Sequence, residues 1–139
     1  MIETIRDETG TQCTLGYVLE IGHEDGGARC ILDVTGAHVN RHDVLHGGIA
    51  ATLLDNAMGA TSSLTADATG RTPFLTISMA TQFLAPAYAG KRVTATGRVT
   101  GGGRSLLFLV SELVDEDGRL IASATGVFKK VQMPKGGDA

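Results

Sequence analysis

The stretch His46-Gly-Gly-Ile-Ala-Ala-Thr-Leu-Leu-Asp-Asn-Ala-Met-Gly-Ala-Thr-Ser-Ser-Leu64 decides the fold. It is rich in Ala and Leu and holds no proline. Ile49, Leu53, Ala57, Ala60 and Leu64 recur at spacings of three and four residues, which predicts a helix with an apolar stripe. Small and apolar residues cover most of its circumference, so a sheet must wrap around it. Asp67-Ala-Thr-Gly-Arg-Thr-Pro73 breaks the helix.

Outward from this helix the chain reads as strands. Two short β-like runs precede it, Leu15 to Ile21 and Ala28 to Val34, joined by a turn at Gly26-Gly27. Four follow it: Phe74 to Leu84, Arg92 to Thr100, Ser105 to Val114 and Arg119 to Val131. In the second of these, Val93, Ala95, Gly97 and Val99 share one face. Gly101-Gly-Gly103 and Asp115-Glu-Asp-Gly118 are the turns between them. One long helix with an antiparallel sheet is an α+β plan, and no other segment reads convincingly as helix. The ends, Met1 to about Thr11 and Met133 to Ala139, read as loose.

The 139 residues correspond to a single domain, 1–139, with a core at about 13–131. Hydrophobic residues make up 42% and charged residues 19%, which excludes intrinsic disorder. The net charge of −3 argues against a general binder of nucleic acid, though it leaves room for a local basic pocket. No apolar run is long enough for a membrane helix, and the N-terminus lacks the regions of a signal peptide. A cytoplasmic protein with Cys13 and Cys30 as reduced thiols is expected.

Several chemistries are poorly supported. His38, His42 and His46 would align for a metal only on a helix, and Gly36, Val39, Asn40, Asp43 and Gly47-Gly48 disfavour one there, so no metal site is expected. There is no G-x-S-x-G elbow, and Gly101-Gly-Gly103 does not open a helix as a dinucleotide loop would. No cofactor is implied.

The strongest candidate is His46-Gly47-Gly48 with Asp55. Glycines at a helix start leave backbone N–H groups bare and approachable at the positive end of the helix dipole. Such donors polarise a carbonyl and hold an oxyanion, each worth about 3 to 4 kcal/mol. Asp55 lies inside the helix beside Ala51, Thr52, Gly59 and Ser62, whose small side chains leave room around the carboxylate. Gly47 and Asp55 are eight residues apart, about 12 Å along a helix axis, so one carbonyl cannot reach both. A second copy, antiparallel across a two-fold axis, would bring Gly47 of one chain to Asp55 of the other. The site therefore predicts a homodimer.

At these residues the chain resembles hotdog-fold thioesterases of the PaaI-like and 4-hydroxybenzoyl-CoA thioesterase type. The resemblance rests on Asn40-Arg-His-Asp-Val-Leu-His-Gly-Gly-Ile-Ala-Ala-Thr-Leu-Leu-Asp55. Asn stands six residues before the HGG histidine, and the acid stands eight after its first glycine. Thr76 to Ala87, Gly103 to Phe108 and Asp117 to Ala122 agree as well. The resemblance implies hydrolysis of a small aromatic or medium-chain acyl-CoA to free acid and CoA. In that reading Gly47 N–H binds the thioester oxygen, and Asp55 is nucleophile or general base. Asn40 positions water or thioester, Thr76 helps orient the water, and His46 orders the loop. Gly48, Arg104 and Ser105 meet the substrate or its CoA portion, and Lys129-Lys130 add positive potential. Dimers of such domains often pair, which implies a homotetramer. Two alternatives stay open: a hotdog domain that binds acyl-CoA without turnover, and a hotdog dehydratase or hydratase.

Overall fold

The computed structural model describes residues 1–132. Seven strands form one antiparallel sheet: β1 (Glu3–Ile5), β2 (Val18–Ile21), β3 (Arg29–Asp33), β4 (Phe74–Phe83), β5 (Arg92–Gly102), β6 (Leu106–Asp115) and β7 (Leu120–Lys130). Their spatial order is β1-β2-β3-β5-β6-β7-β4. The connection between β3 and β4 carries helix α2 (Gly47–Leu64), which lies against β3 through β7. This is the α+β, sheet-around-helix architecture that the sequence predicts.

The core sits between α2 and the inward faces of the strands. Leu53, Leu54, Ala57 and Met58 of α2 are fully buried against Val93, Ala95, Leu109, Leu113 and Phe128. Residues alternate in and out along β5 and β6, as a sheet with one covered face requires. Gly97 lets helix and sheet approach closely: a Cβ there would collide with the Ala57 carbonyl and the Thr61 hydroxyl. Thr61 uses that proximity, its Oγ1 donating to Ala57 O and accepting from Ala28 N at 2.9 Å.

The N-terminal reading needs correction. Residues expected to be loose contain β1, which pairs with β2, and the run beginning at Leu15 is split. Leu15 ends a short helix, α1 (Gly10–Leu15), and the strand begins only at Val18. Thr9 caps α1 by accepting from Gln12 N, and Gly16, in the left-handed region at φ 85°, stops it. Gln12 Nε2 donates to Ile5 O and ties β1 to α1. Three residues of β1 and six of α1 are too few for any periodicity to register. The C-terminal segment from Met133 lies outside the described residues.

The β4 strand is a sheet edge, paired only with β7. Its register slips between Thr76 and Ser78, so Ile77 is the extra residue of a β-bulge. Thr76 shares the helix side with buried Phe74 by ordinary alternation and pairs with Phe128, and the bulge resets the alternation beyond it, with Ser78 facing outward opposite Val127. The edge exposes Leu75, Ile77, Phe83 and Leu84, each more than half accessible.

Candidate active site

The loop before α2 is built by its own polar groups. Asn40 Oδ1 accepts from His42 N at 2.8 Å, and Asn40 N donates to Val44 O at 2.8 Å. Asp43 adopts a positive φ of 62° to close this turn. The loop then folds back, with His46 N donating to His38 O at 2.9 Å. The three histidines lie on a short 3-10 turn (Gly36–His38), a loop and a helix cap, not on one helix face. His38 is buried, with Nδ1 against Thr35 N and Nε2 against Leu15 O. Among the described residues no group of three His, Cys, Asp or Glu could hold a metal.

His46 is the N-cap of α2. Its Nδ1 accepts from Gly48 N at 2.9 Å, so the Gly48 N–H is turned to the imidazole. Gly47 N–H, one residue earlier, has no acceptor among the described residues. It is the first orphan donor of the helix, at the positive end of the dipole. The Phe83 ring lies beside it: a Cβ on Gly47 would stand 3.4 Å from that ring.

Asp55 is two turns further along α2 and half-buried. One carboxylate oxygen, Oδ1, accepts from Thr76 Oγ1 at 2.6 Å. This bond joins the middle of α2 to the start of β4, where Thr76 lies on the same inward face as Phe74, two residues earlier. The other carboxylate oxygen has no partner among the described residues. The carboxylate opens into a groove of about 280 Å³ between α2 and the start of β4. Thus β4 runs beside α2 in the reverse direction, with Thr76 at Asp55 and Phe83 at Gly47.

Asn56, next to the acid, accepts from the buried Tyr17 phenol at 3.3 Å and donates to Thr52 O at 2.8 Å. Burial pushes the Tyr17 phenol up, so it remains a protonated donor. Neither Tyr17 nor Phe83 was legible as a site residue, since both reach α2 from distant segments.

Arg104 and Ser105 occupy the exposed β5–β6 turn. Lys130 N donates to Ser105 O at 2.7 Å, which puts Arg104, Lys129 and Lys130 at one end of the sheet. The same register places Phe74 opposite Lys130, so this cationic end adjoins the start of β4. Lys91, Arg92 and Arg29 are paired with Asp117, Asp33 and Asp25, whereas Arg104, Lys129 and Lys130 form no ion pair among the described residues.

Burial pushes the Cys30 thiol up, so it is inert, while Cys13 is exposed; both are free. No helix among the described residues is long and apolar enough to cross a membrane.

A family model described as the thioesterase superfamily matches residues 42–122, a span that contains α2, β4, β5 and β6. Acyl-coenzyme A thioesterase 13 of Homo sapiens is 31% identical over 109 residues, covering 78% of this chain and 76% of the relative. A phenylacetic acid degradation-related protein from Ralstonia eutropha is 30% identical, with 86% of this chain and 88% of that one covered and a TM-score of 0.71. The PaaI protein of the E. coli phenylacetic acid degradation operon shares the fold at 23% identity, with a TM-score of 0.76 over 91% of this chain and 87% of that one.

Proposed function

The chain belongs to the thioesterase superfamily and is a thioesterase, and from that premise we propose that it cleaves acyl-CoA: water and acyl-CoA give a carboxylic acid and CoA. The observation that carries this reading is the half-buried Asp55. Thr76 fixes one of its oxygens, and the other faces an open groove. A carboxylate so held can attack the thioester carbon or take a proton from an attacking water. In either route negative charge develops on the thioester oxygen, and a fixed N–H must receive it. Gly47 N–H is the unpaired donor suited to that task.

Gly47 and Asp55 lie about 12 Å apart on one helix, so the complete site takes one residue from each of two chains. The free edge of β4 supports such a dimer. Within a chain, Phe83 marks the Gly47 end of β4 and Thr76 marks the Asp55 end. Antiparallel pairing of two β4 edges would set the Phe83 end of one chain against the Thr76 end of the other. Pairing would also cover Leu75, Ile77, Phe83 and Leu84, an apolar edge that a monomer leaves open to aggregation. Two such dimers would form the tetramer. Asn40 holds the loop in front of Gly47 through its Oδ1, which leaves its amide nitrogen free for water or thioester. Arg104, Lys129 and Lys130, free of ion pairs, supply positive charge for the phosphates of CoA.

The test is thiol release from acetyl-, hexanoyl-, lauroyl-, benzoyl- and phenylacetyl-CoA, with Asp55→Ala beside the wild type. Turnover that disappears in the variant while its oligomeric state is kept supports the reading. An Asp55→Ala enzyme near wild-type activity removes Asp55 from the mechanism. A wild type that binds these thioesters and cleaves none of them fails as an acyl-CoA hydrolase.

A further inference from the structure

The groove at Asp55 carries information about the acyl group. This inference rests on the acyl-CoA thioesterase reading and goes beyond it to the chemistry of the substrate. The walls are the side chains of Leu19, Phe74, Leu75 and Phe128, and the floor is the face of α2 at Gly59 and Ala60. Apart from Asp55 and Thr76, the sole polar side chain lining it is Asn56. Both ends of that amide are already engaged, the oxygen by Tyr17 and the nitrogen by Thr52 O. Tyr17 is itself buried, so the first of these bonds is fixed. A hydroxyl or carboxyl at the far end of an acyl group would exchange water for at most the one N–H and one lone pair that Asn56 has left.

Gly59 sets how far the groove extends. It lies one turn beyond Asp55, about 6 Å along the helix axis. A glycine weakens the middle of a helix. Gly59 does not have the positive φ that would call for one. Nor does close backbone approach require it, in contrast to Gly97: a Cβ on Gly59 would meet only the edge of the Phe128 ring, at 3.4 Å. What its missing side chain leaves is a narrow gap at the groove floor, which a single Cβ would bring into contact with Phe128, on the same helix face as the carboxylate.

The geometry points to a hydrocarbon slot: the enzyme takes acyl groups without polar substituents, and Gly59 is the residue that determines how long or bulky they can be. The experiment compares kcat/KM of wild type, Gly59→Ala and Gly59→Val on acetyl-, hexanoyl-, phenylacetyl- and 4-hydroxyphenylacetyl-CoA. The wild type should prefer phenylacetyl- over 4-hydroxyphenylacetyl-CoA by roughly tenfold to a hundredfold. Gly59→Val should lower hexanoyl and phenylacetyl turnover by roughly 10- to 200-fold and spare acetyl-CoA. Gly59→Ala, favoured in a helix and safe for folding, should shift the hexanoyl-to-acetyl ratio by about fourfold, the worth of one methyl group. Equal turnover of the two phenylacetyl substrates overturns the slot, as does an unchanged hexanoyl-to-acetyl ratio in Gly59→Ala. In both cases the hydrolase reading survives, because the wild type still cleaves thioesters. A wild type that cleaves none of the four defeats that reading and the slot with it.

Discussion

The two halves of the candidate site lie on one helix and are made in opposite ways. The polar groups of the Gly47 end are set locally: His46 caps through Gly48 N and Asn40 closes the preceding turn, with Phe83 packed beside them from β4. The Asp55 end is assembled from afar. Its carboxylate is held by Thr76, 21 positions on, and its neighbour Asn56 by Tyr17, 39 positions back. A donor at a helix start needs only one first-turn N–H that the cap leaves unpaired. A carboxylate in mid-helix must be met by a second element, and here the inward face of β4 brings Thr76 to it. Damage to the first half should therefore act mainly through the local helix start, and damage to the second mainly through chemistry.

The largest expected effect tests that division directly. Asp55→Asn keeps the shape and can still accept from Thr76, yet it removes the charge. Turnover should fall by roughly 10²- to 10⁴-fold with the melting temperature little changed, read by thiol release and thermal unfolding. Breaking the join between the halves comes next. Ile77→Asp puts a charge on the exposed β4 edge, so the protein should run as a monomer by light scattering. Its specific activity at low micromolar concentration should drop about tenfold or more and recover as concentration rises. An active monomer would show that the two halves do not need a second chain.

Thr76→Val removes the hydroxyl that holds Asp55, and about a threefold to tenfold loss in kcat is expected, with Thr76→Ser restoring the rate. At the other end, His46→Ala should cost about 1 kcal/mol of stability through the lost cap, seen as a lower denaturation midpoint, and His46→Asn should recover most of it. The smallest effect lies outside both halves. Arg29 holds Asp25 down to about 2, below its ordinary 3.8. The unfolded chain therefore takes up that proton first. The contribution is complete above about pH 4 and is lost as pH falls through about 2. Because the pair is exposed, Asp25→Asn should flatten the acid arm of the stability curve only slightly.

Much of this molecule was legible before its structure. Helix α2, the four strands after it and the alternation along β5 follow from periodicities long enough to register. The Gly47 half was legible because a cap and its donors are neighbours in sequence. By contrast, β1 and α1 are too short for any period to show, and the Leu15 to Ile21 alternation ran across the boundary that Gly16 imposes. Asp55 could be singled out as an acid among small residues, but its bond to Thr76 could not be seen. That bond depends on β4 lying beside α2 with the face of Phe74 and Thr76 turned to the helix, a pairing settled by the whole sheet.

By itself, then, the sequence determined one long helix with sheet around it, the bare N–H at Gly47 and the acid eight residues on. Those are properties of spacing along one chain. Tertiary packing alone settles that Thr76 holds the acid, that Asn56 is engaged by Tyr17, and that Gly59 stands against the Phe128 ring in the groove at Asp55. Each of those depends on which elements lie side by side and in what register. Such neighbours are chosen by the packing of the whole sheet against α2, a many-body fit that no local pattern encodes.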